Sequence, residues 1–96
     1  MRITFDPAKN ARNIRLRGLS FERVVEIDLG AALIAVDERR DYGEVRYVAL
    51  CHLEGRLHVL CFRATKDALR VISFRKANAR EVRRYEQATA ADESKR

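Results

Sequence analysis

Arginine is the residue type with the most chemical reach in this chain of 96 residues. Basic side chains outnumber acidic ones by 20 to 14, a formal net charge of +6. A guanidinium stays charged and offers a planar fork of donors, so it can orient a phosphodiester and neutralise the charge that develops during cleavage. RNA suits such a surface, because its 2′-OH is an internal nucleophile that needs neither metal nor cofactor. Guanidinium groups are poor bases, so proton transfer must fall to His, Glu or a perturbed Lys. Arg63 is the most conspicuous of these residues, since it shares the face of Cys61 in an otherwise apolar alternating run. Arg46 lies on the Val48 face of the preceding run, and Arg75 and Lys76 stand where the last strand should give way to a helix. Arg80 and Arg84 extend the basic surface along that helix. Glu81 is placed to complete a helix cap, to orient an arginine or to move a proton, and Tyr85, one turn on, can bond a phosphate. His52 is the candidate proton donor beside the turn at Glu54-Gly55.

Other chemistries find little support. Cys51 and His52 are adjacent and His58 and Cys61 are three apart, so in strands each pair points to opposite faces. Neither CxxC nor HExxH occurs, which argues against a zinc site, and four isolated glycines supply no phosphate loop. Ser20 and Ser73 are better explained as a helix cap and a strand residue than as nucleophiles. Two cysteines do not make a secreted scaffold and read as small buried hydrophobes, so a cytoplasmic protein is expected. No apolar run reaches the 18 residues of a membrane span, and no apolar leader opens the chain.

The elements that must position these residues follow from punctuation and period. Arg2 to Phe5 reads as a short strand. Asp6 at the N-cap and Pro7 at the first helical position begin a helix to about Arg17, closed by Gly18. Ser20 caps a second short helix, Phe21 to about Leu29, making a helical hairpin. Leu33 to Val36 is β-prone. The period then becomes two, giving a strand from Val45, a tight turn at Glu54-Gly55, a return strand Leu57 to Arg63, and a third run Leu69 to Phe74 with Ile72 and Phe74 on one face. Asn78 with Glu81 three residues later is a capping box for a final helix through Val82, Tyr85 and Ala88. The expectation is one α+β domain over residues 1–88: an N-terminal helical hairpin, an antiparallel meander of three or four strands, a C-terminal helix, and a flexible tail from Thr89. The expected core is Ile3, Phe5, Ile14, Phe21, Val25, Leu33, Val45, Tyr47, Ala49, Leu57, Val59, Cys61, Ile72, Phe74 and Val82.

Charge is pooled at both ends. Residues 1–23 carry a net +4, residues 24–74 a net −1 and residues 75–96 a net +3. If the ends meet they form one basic surface, suited to a polyanion or an acidic protein.

Three ordered blocks resemble the BrnT family of toxins from bacterial type II toxin–antitoxin modules. The first is Phe5-Asp6-Pro7-Ala8-Lys9 with Asn13, then Arg17-Gly18-Leu19-Ser20-Phe21-Glu22. The second is Gly43-Glu44-Val45-Arg46 with Gly55-Arg56-Leu57 and Phe62-Arg63. The third is Arg70-Val71-Ile72-Ser73-Phe74-Arg75-Lys76-Ala77 with Glu81, Arg84, Tyr85 and Glu86. The resemblance implies a RelE-like fold and a ribonuclease that inhibits translation without a cofactor. It also implies a BrnA-like antitoxin, through which the complex represses its own operon at operator DNA. The residues it brings forward are Lys9, Asn13, Arg63, Arg75, Lys76, Glu81 and Tyr85. Family members commonly end the first helix with Lys-His-Gly, where this chain reads Leu16-Arg17-Gly18, so Arg17 stands at the histidine position. Two other readings accompany the ribonuclease: a nucleic-acid-binding module without catalysis, and a regulatory protein whose basic face docks an acidic partner.

Overall fold

Asp6 accepts a hydrogen bond from the Ala8 N–H, and Pro7 opens helix α1 (Pro7–Arg17) in the computed structural model, which describes residues 1–94. Gly18 ends the helix at φ 65°, with its N–H on the Ile14 carbonyl, a left-handed geometry that suits a residue without Cβ. No side chain of α1 is buried, and Ile14, expected in the core, is 46% exposed. Polar bonds hold the helix instead. Asn10 accepts from the Phe21 N–H, and the Asn13 amide donates to the carbonyls of Leu19 and Phe74.

Ser20 caps the next segment by accepting from the Glu22 N–H. That segment is a 3₁₀ helix over Phe21–Glu26 followed by a second over Leu29–Ala31, where an α-helix was expected. Three residues per turn put i and i+3 in line. Phe21, Val24 and Ile27 are therefore buried in one row, and Val25, expected in the core, is exposed.

The sheet has five strands in the order β1-β5-β4-β3-β2. They span Ile3–Thr4 (β1), Leu33–Val36 (β2), Tyr47–Leu53 (β3), Arg56–Ala64 (β4) and Leu69–Lys76 (β5). Strands β2 to β5 form the antiparallel meander, and β1 adds a parallel fifth beside β5, with Ile3 opposite Leu69. Glu54 and Gly55 both have positive φ, as a two-residue hairpin turn matched to the strand twist requires. Val45 precedes β3 and is exposed, and Leu33 lies on the edge strand, partly exposed; neither joins the core as expected. Strand β5 runs two residues further than expected, so Arg75 and Lys76 belong to it.

The strand β5 also carries a bulge. Cys61 opposes Ser73 and Phe62 opposes Val71, which leaves Ile72 without a partner. The expected alternation, with Ile72 and Phe74 on one face, is overturned: Val71 and Phe74 both enter the core, while Ser73 and Arg75 face the other side.

One sheet face buries Ala49, Cys51, Leu60, Phe62 and Phe74 against Leu19, Phe21, Val24 and Ile27. The other carries Leu50, Leu57 and Val59, packed by Ala77 and by Val82 and Tyr85 of helix α2 (Ala79–Ser94). The helix opens on a reciprocal capping box, with the Asn78 N–H on Glu81 and the Glu81 N–H on Asn78, both 2.9 Å. It continues past Ala88 to Ser94, beyond the point where the pattern was expected to fail; residues 95–96 lie outside the described residues. Cys51 and Cys61 are free and buried on opposite faces, so no hairpin disulfide joins them. Burial pushes the Cys51 thiol up to about 11, which suits a packing residue.

Candidate functional site

Helix α2 covers its sheet face only in part. The remainder is a cleft of about 460 Å³ with an apolar floor of Val48, Leu50, Val59 and Cys61. Leu33 and Ala35 form one wall, and Asp37, Arg39, Ser73, Arg75, Glu81 and Arg84 form the polar rim.

Arg75 reaches the rim because the β5 bulge turns it there, and Glu81 because the capping box fixes the first turn of α2. Their bond is bidentate, Nη1 to Oε1 and Nη2 to Oε2, both 2.8 Å. The Arg75 fork, aided by the Asn78 N–H, holds the Glu81 carboxyl down to about 2 despite its partial burial. Arg75 Nη1 also donates to the Lys76 carbonyl. Glu81 thus occupies the end-on fork of Arg75 and leaves Nε–H and the outer hydrogen of Nη2, a second fork of donors. Arg84 is exposed on the same rim and makes no ion pair among the described residues. Asp37, its side chain 2% exposed, accepts from Arg39 Nε (2.8 Å) and Nη2 (2.7 Å) and from the Tyr42 hydroxyl (3.0 Å). Arg39 holds that carboxyl below the ordinary carboxylate range.

A second basic cluster lies further along the strands in a depression of about 300 Å³ lined by Lys9, Arg46, Arg63 and Arg70 with Asp6 and Glu44. Glu44 accepts from Arg46 Nε at 2.9 Å and from Arg63 Nη1 at 3.2 Å, and Arg46 foremost lowers its pKa. Arg63 and Arg70 are register partners on adjacent strands, like charges side by side. One glutamate therefore serves two arginines, with a third next to them. From Arg63 to the level of Arg75, four residues along β4, is about 13 Å.

The remaining expected site residues lie elsewhere. Arg17 and Lys76 meet in a hollow with His58 at the opposite end of the strands, five residues or about 17 Å from Arg63. His58 is buried, its Nδ1 2.8 Å from the Arg56 carbonyl, and burial lowers its pKa. His52 packs edge-on against Tyr85 at 5.1 Å between ring centres, outside the cleft. Arg80 is exposed on α2, and the Asn13 amide is committed to two main-chain carbonyls. The structure thus unites Arg75, Glu81 and Arg84, unites Lys9, Arg46 and Arg63, and separates both groups from Arg17. Sequence reading passed over Arg70, Glu44 and the Asp37–Arg39 pair. The signal for Asp37 was a carboxylate ending an apolar run; for Arg70 it was a second strand arginine beside Arg63.

Among the described residues no three His, Cys, Asp or Glu side chains gather as a metal site, and no helix is long and apolar enough to cross a membrane. A family model described as "Ribonuclease toxin, BrnT, of type II toxin-antitoxin system" matches residues 5–81. No curated protein matches the chain.

Proposed function

The chain belongs to the BrnT ribonuclease-toxin family of type II toxin–antitoxin systems, and from that premise we propose that it cleaves RNA in the cleft beside α2 by a metal-independent route. The observation that carries this reading is that Arg75 lines the cleft with its end-on fork held by Glu81, which leaves a second fork of donors unbonded. The substrate's 2′-OH attacks the adjacent phosphorus as the bond to the 5′-oxygen breaks, giving a 2′,3′-cyclic phosphate. Water takes the 2′-proton and water protonates the departing 5′-oxygen, while the free donors of Arg75 meet the charge that builds on the non-bridging oxygens. Arg84 adds charge at the rim. Lys9, Arg46 and Arg63, with Arg70, hold another phosphate of the same strand about 13 Å away. Glu81 remains ionised and far too weak a base to take the 2′-OH proton; its part is to position Arg75. Lys76 follows Arg75 but turns to the other side of the strand, where it shares a hollow with Arg17, so both serve as outlying contacts. The toxin acts in the cytoplasm, is neutralised by a BrnA-like antitoxin, and joins it in repressing their operon.

A nucleic-acid-binding module without catalysis is the second reading, favoured by one observation: Glu81 and Asp37 at the cleft are both tied into arginine pairs that weaken them as bases. One experiment separates the two. Purified chain, free of antitoxin and in EDTA, is incubated with RNA beside its Arg75→Lys, Arg63→Ala and Arg17→Ala variants. Cleavage that falls with Arg75→Lys and Arg63→Ala and persists with Arg17→Ala supports the ribonuclease. Saturable binding with intact RNA, on translating ribosomes as well, supports the second reading.

A further inference from the structure

The two edges of the sheet are finished differently. On the β5 side, β1 pairs with Leu69 and Arg70, and beyond it the outward Phe74 carbonyl accepts from Asn13 of α1. On the β2 side there is no further strand among the described residues. The Asp37 N–H bonds the Arg46 carbonyl, which makes residues 37 and 46 a hydrogen-bonded pair. Bonding alternates along an antiparallel ladder. Leu33 and Ala35 therefore address β3, and the N–H and C=O of Ile34 and Val36 point outward from the sheet.

This edge is four residues long and has few of the usual protections. It is Leu-Ile-Ala-Val, without charge or proline, and Leu33, Ile34 and Val36 are 39, 42 and 51% exposed. An uncharged apolar edge with free amides is a template for another strand. Charge says what kind. Asp37 and Glu38 follow β2, but Asp37 is taken up by Arg39; Arg40 comes next and is exposed, Arg84 faces the strand across the cleft, and the chain carries +6 overall. A second copy would bring like charge to like charge, whereas an acidic segment is attracted.

We infer that β2 is the docking strand for an extended segment of the protein antitoxin, apolar where it runs beside Ile34 and Val36 and acidic where it passes Arg40 and Arg84. The inference rests on the toxin reading above, which supplies the existence of such a partner. Strand addition gives affinity through the main chain and specificity through the alternate side chains. Leu33, Ala35 and Arg39 line the cleft as well as the edge, so the added strand narrows the cleft mouth and places carboxylates near the arginines that would hold RNA.

The test is amide hydrogen exchange, read by NMR on the full chain with and without the antitoxin encoded beside it. The Ile34 and Val36 amides should become protected on binding, because they are the outward pair. Ile34→Pro removes one of those donors without touching the ladder to β3. It should weaken antitoxin binding about tenfold or more while leaving RNA cleavage by the free chain unchanged. Binding that leaves both amides unprotected and tolerates Ile34→Pro overturns the docking site but not the toxin. Concentration-dependent protection of the same amides in the free chain would assign the edge to a second copy and also overturn it. No binding by the antitoxin at all would sink the toxin reading, and this inference with it.

Discussion

The two faces of the sheet make opposite use of the same strands. The face against the 3₁₀ segments is closed: Phe74 and Leu60 are fully buried, Phe21, Val24 and Ile27 fill the row above them, and Phe5 meets Phe21 edge-on. The face under α2 is apolar only where Ala77, Val82 and Tyr85 press on it, and beyond them it opens into the cleft and then the arginine depression. Stability is concentrated where nothing can bind, which leaves the other face room for unpaired charge. Substitutions can test that division, from large effects to small.

The largest should come from the closed face. Phe74→Ala should cost about 3–5 kcal/mol in denaturant unfolding. Cys61→Ala, under the open cleft, should cost distinctly less; equal losses would erase the contrast. On the open face, Arg75→Lys keeps the charge and removes the second fork. It should lower RNA cleavage about a hundredfold in a single-turnover assay, with the unfolding midpoint nearly unchanged.

Glu81→Gln reports on both properties. Wild-type Glu81 has its pKa depressed to about 2, so its stabilising contribution is present above the ordinary carboxylate value and is lost as pH falls from there through about 2. Partial exposure discounts the pair, so the variant should lose about 1 kcal/mol at neutral pH. Its stability should then vary less than wild type in acid unfolding below pH 4.5. An unchanged acid limb would show that the pair does not couple to folding. The smallest effect should belong to Arg70→Gln, which removes one of two like charges facing each other. It should weaken single-stranded RNA binding a few-fold and make the slope of log K against log salt shallower by about 0.7.

Much of this architecture was legible in the sequence. Asp6-Pro7 and Gly18 bound α1 because each residue's chemistry specifies its position, and Glu54-Gly55 and the Asn78–Glu81 box do the same at their sites. Where identity did not specify conformation, periodicity misled. Over six residues a 3.0 period and a 3.6 period differ by a single position, and that position decided whether Val25 or Ile27 was buried. The parallel pairing of β1 joins residues more than sixty apart and leaves no local mark. At the site, the capping role and arginine-orienting role of Glu81 could both be read, since one carboxylate serves both. That Arg75 shares a sheet face with Arg63 could not, because it depends on an irregularity in β5.

That irregularity constrains the kinds of change the gene can absorb. Ile72 works as a phase shifter: one unpaired residue reverses the parity of everything after it in the strand, sending Phe74 inward and Arg75 outward. Another apolar residue at position 72 would preserve that parity. A three-base deletion of its codon would leave Ser73, Phe74 and Arg75 opposite Cys61, Leu60 and Val59 as before, a plain ladder with the same faces, because the residue lost is the one without a partner. For the second half of β5 the reading frame of side-chain faces is set by the count of residues rather than by their identity: the strand can lose the one it leaves unpaired, whereas a second loss between Val71 and Phe74 would turn Phe74 and Arg75 to the wrong faces.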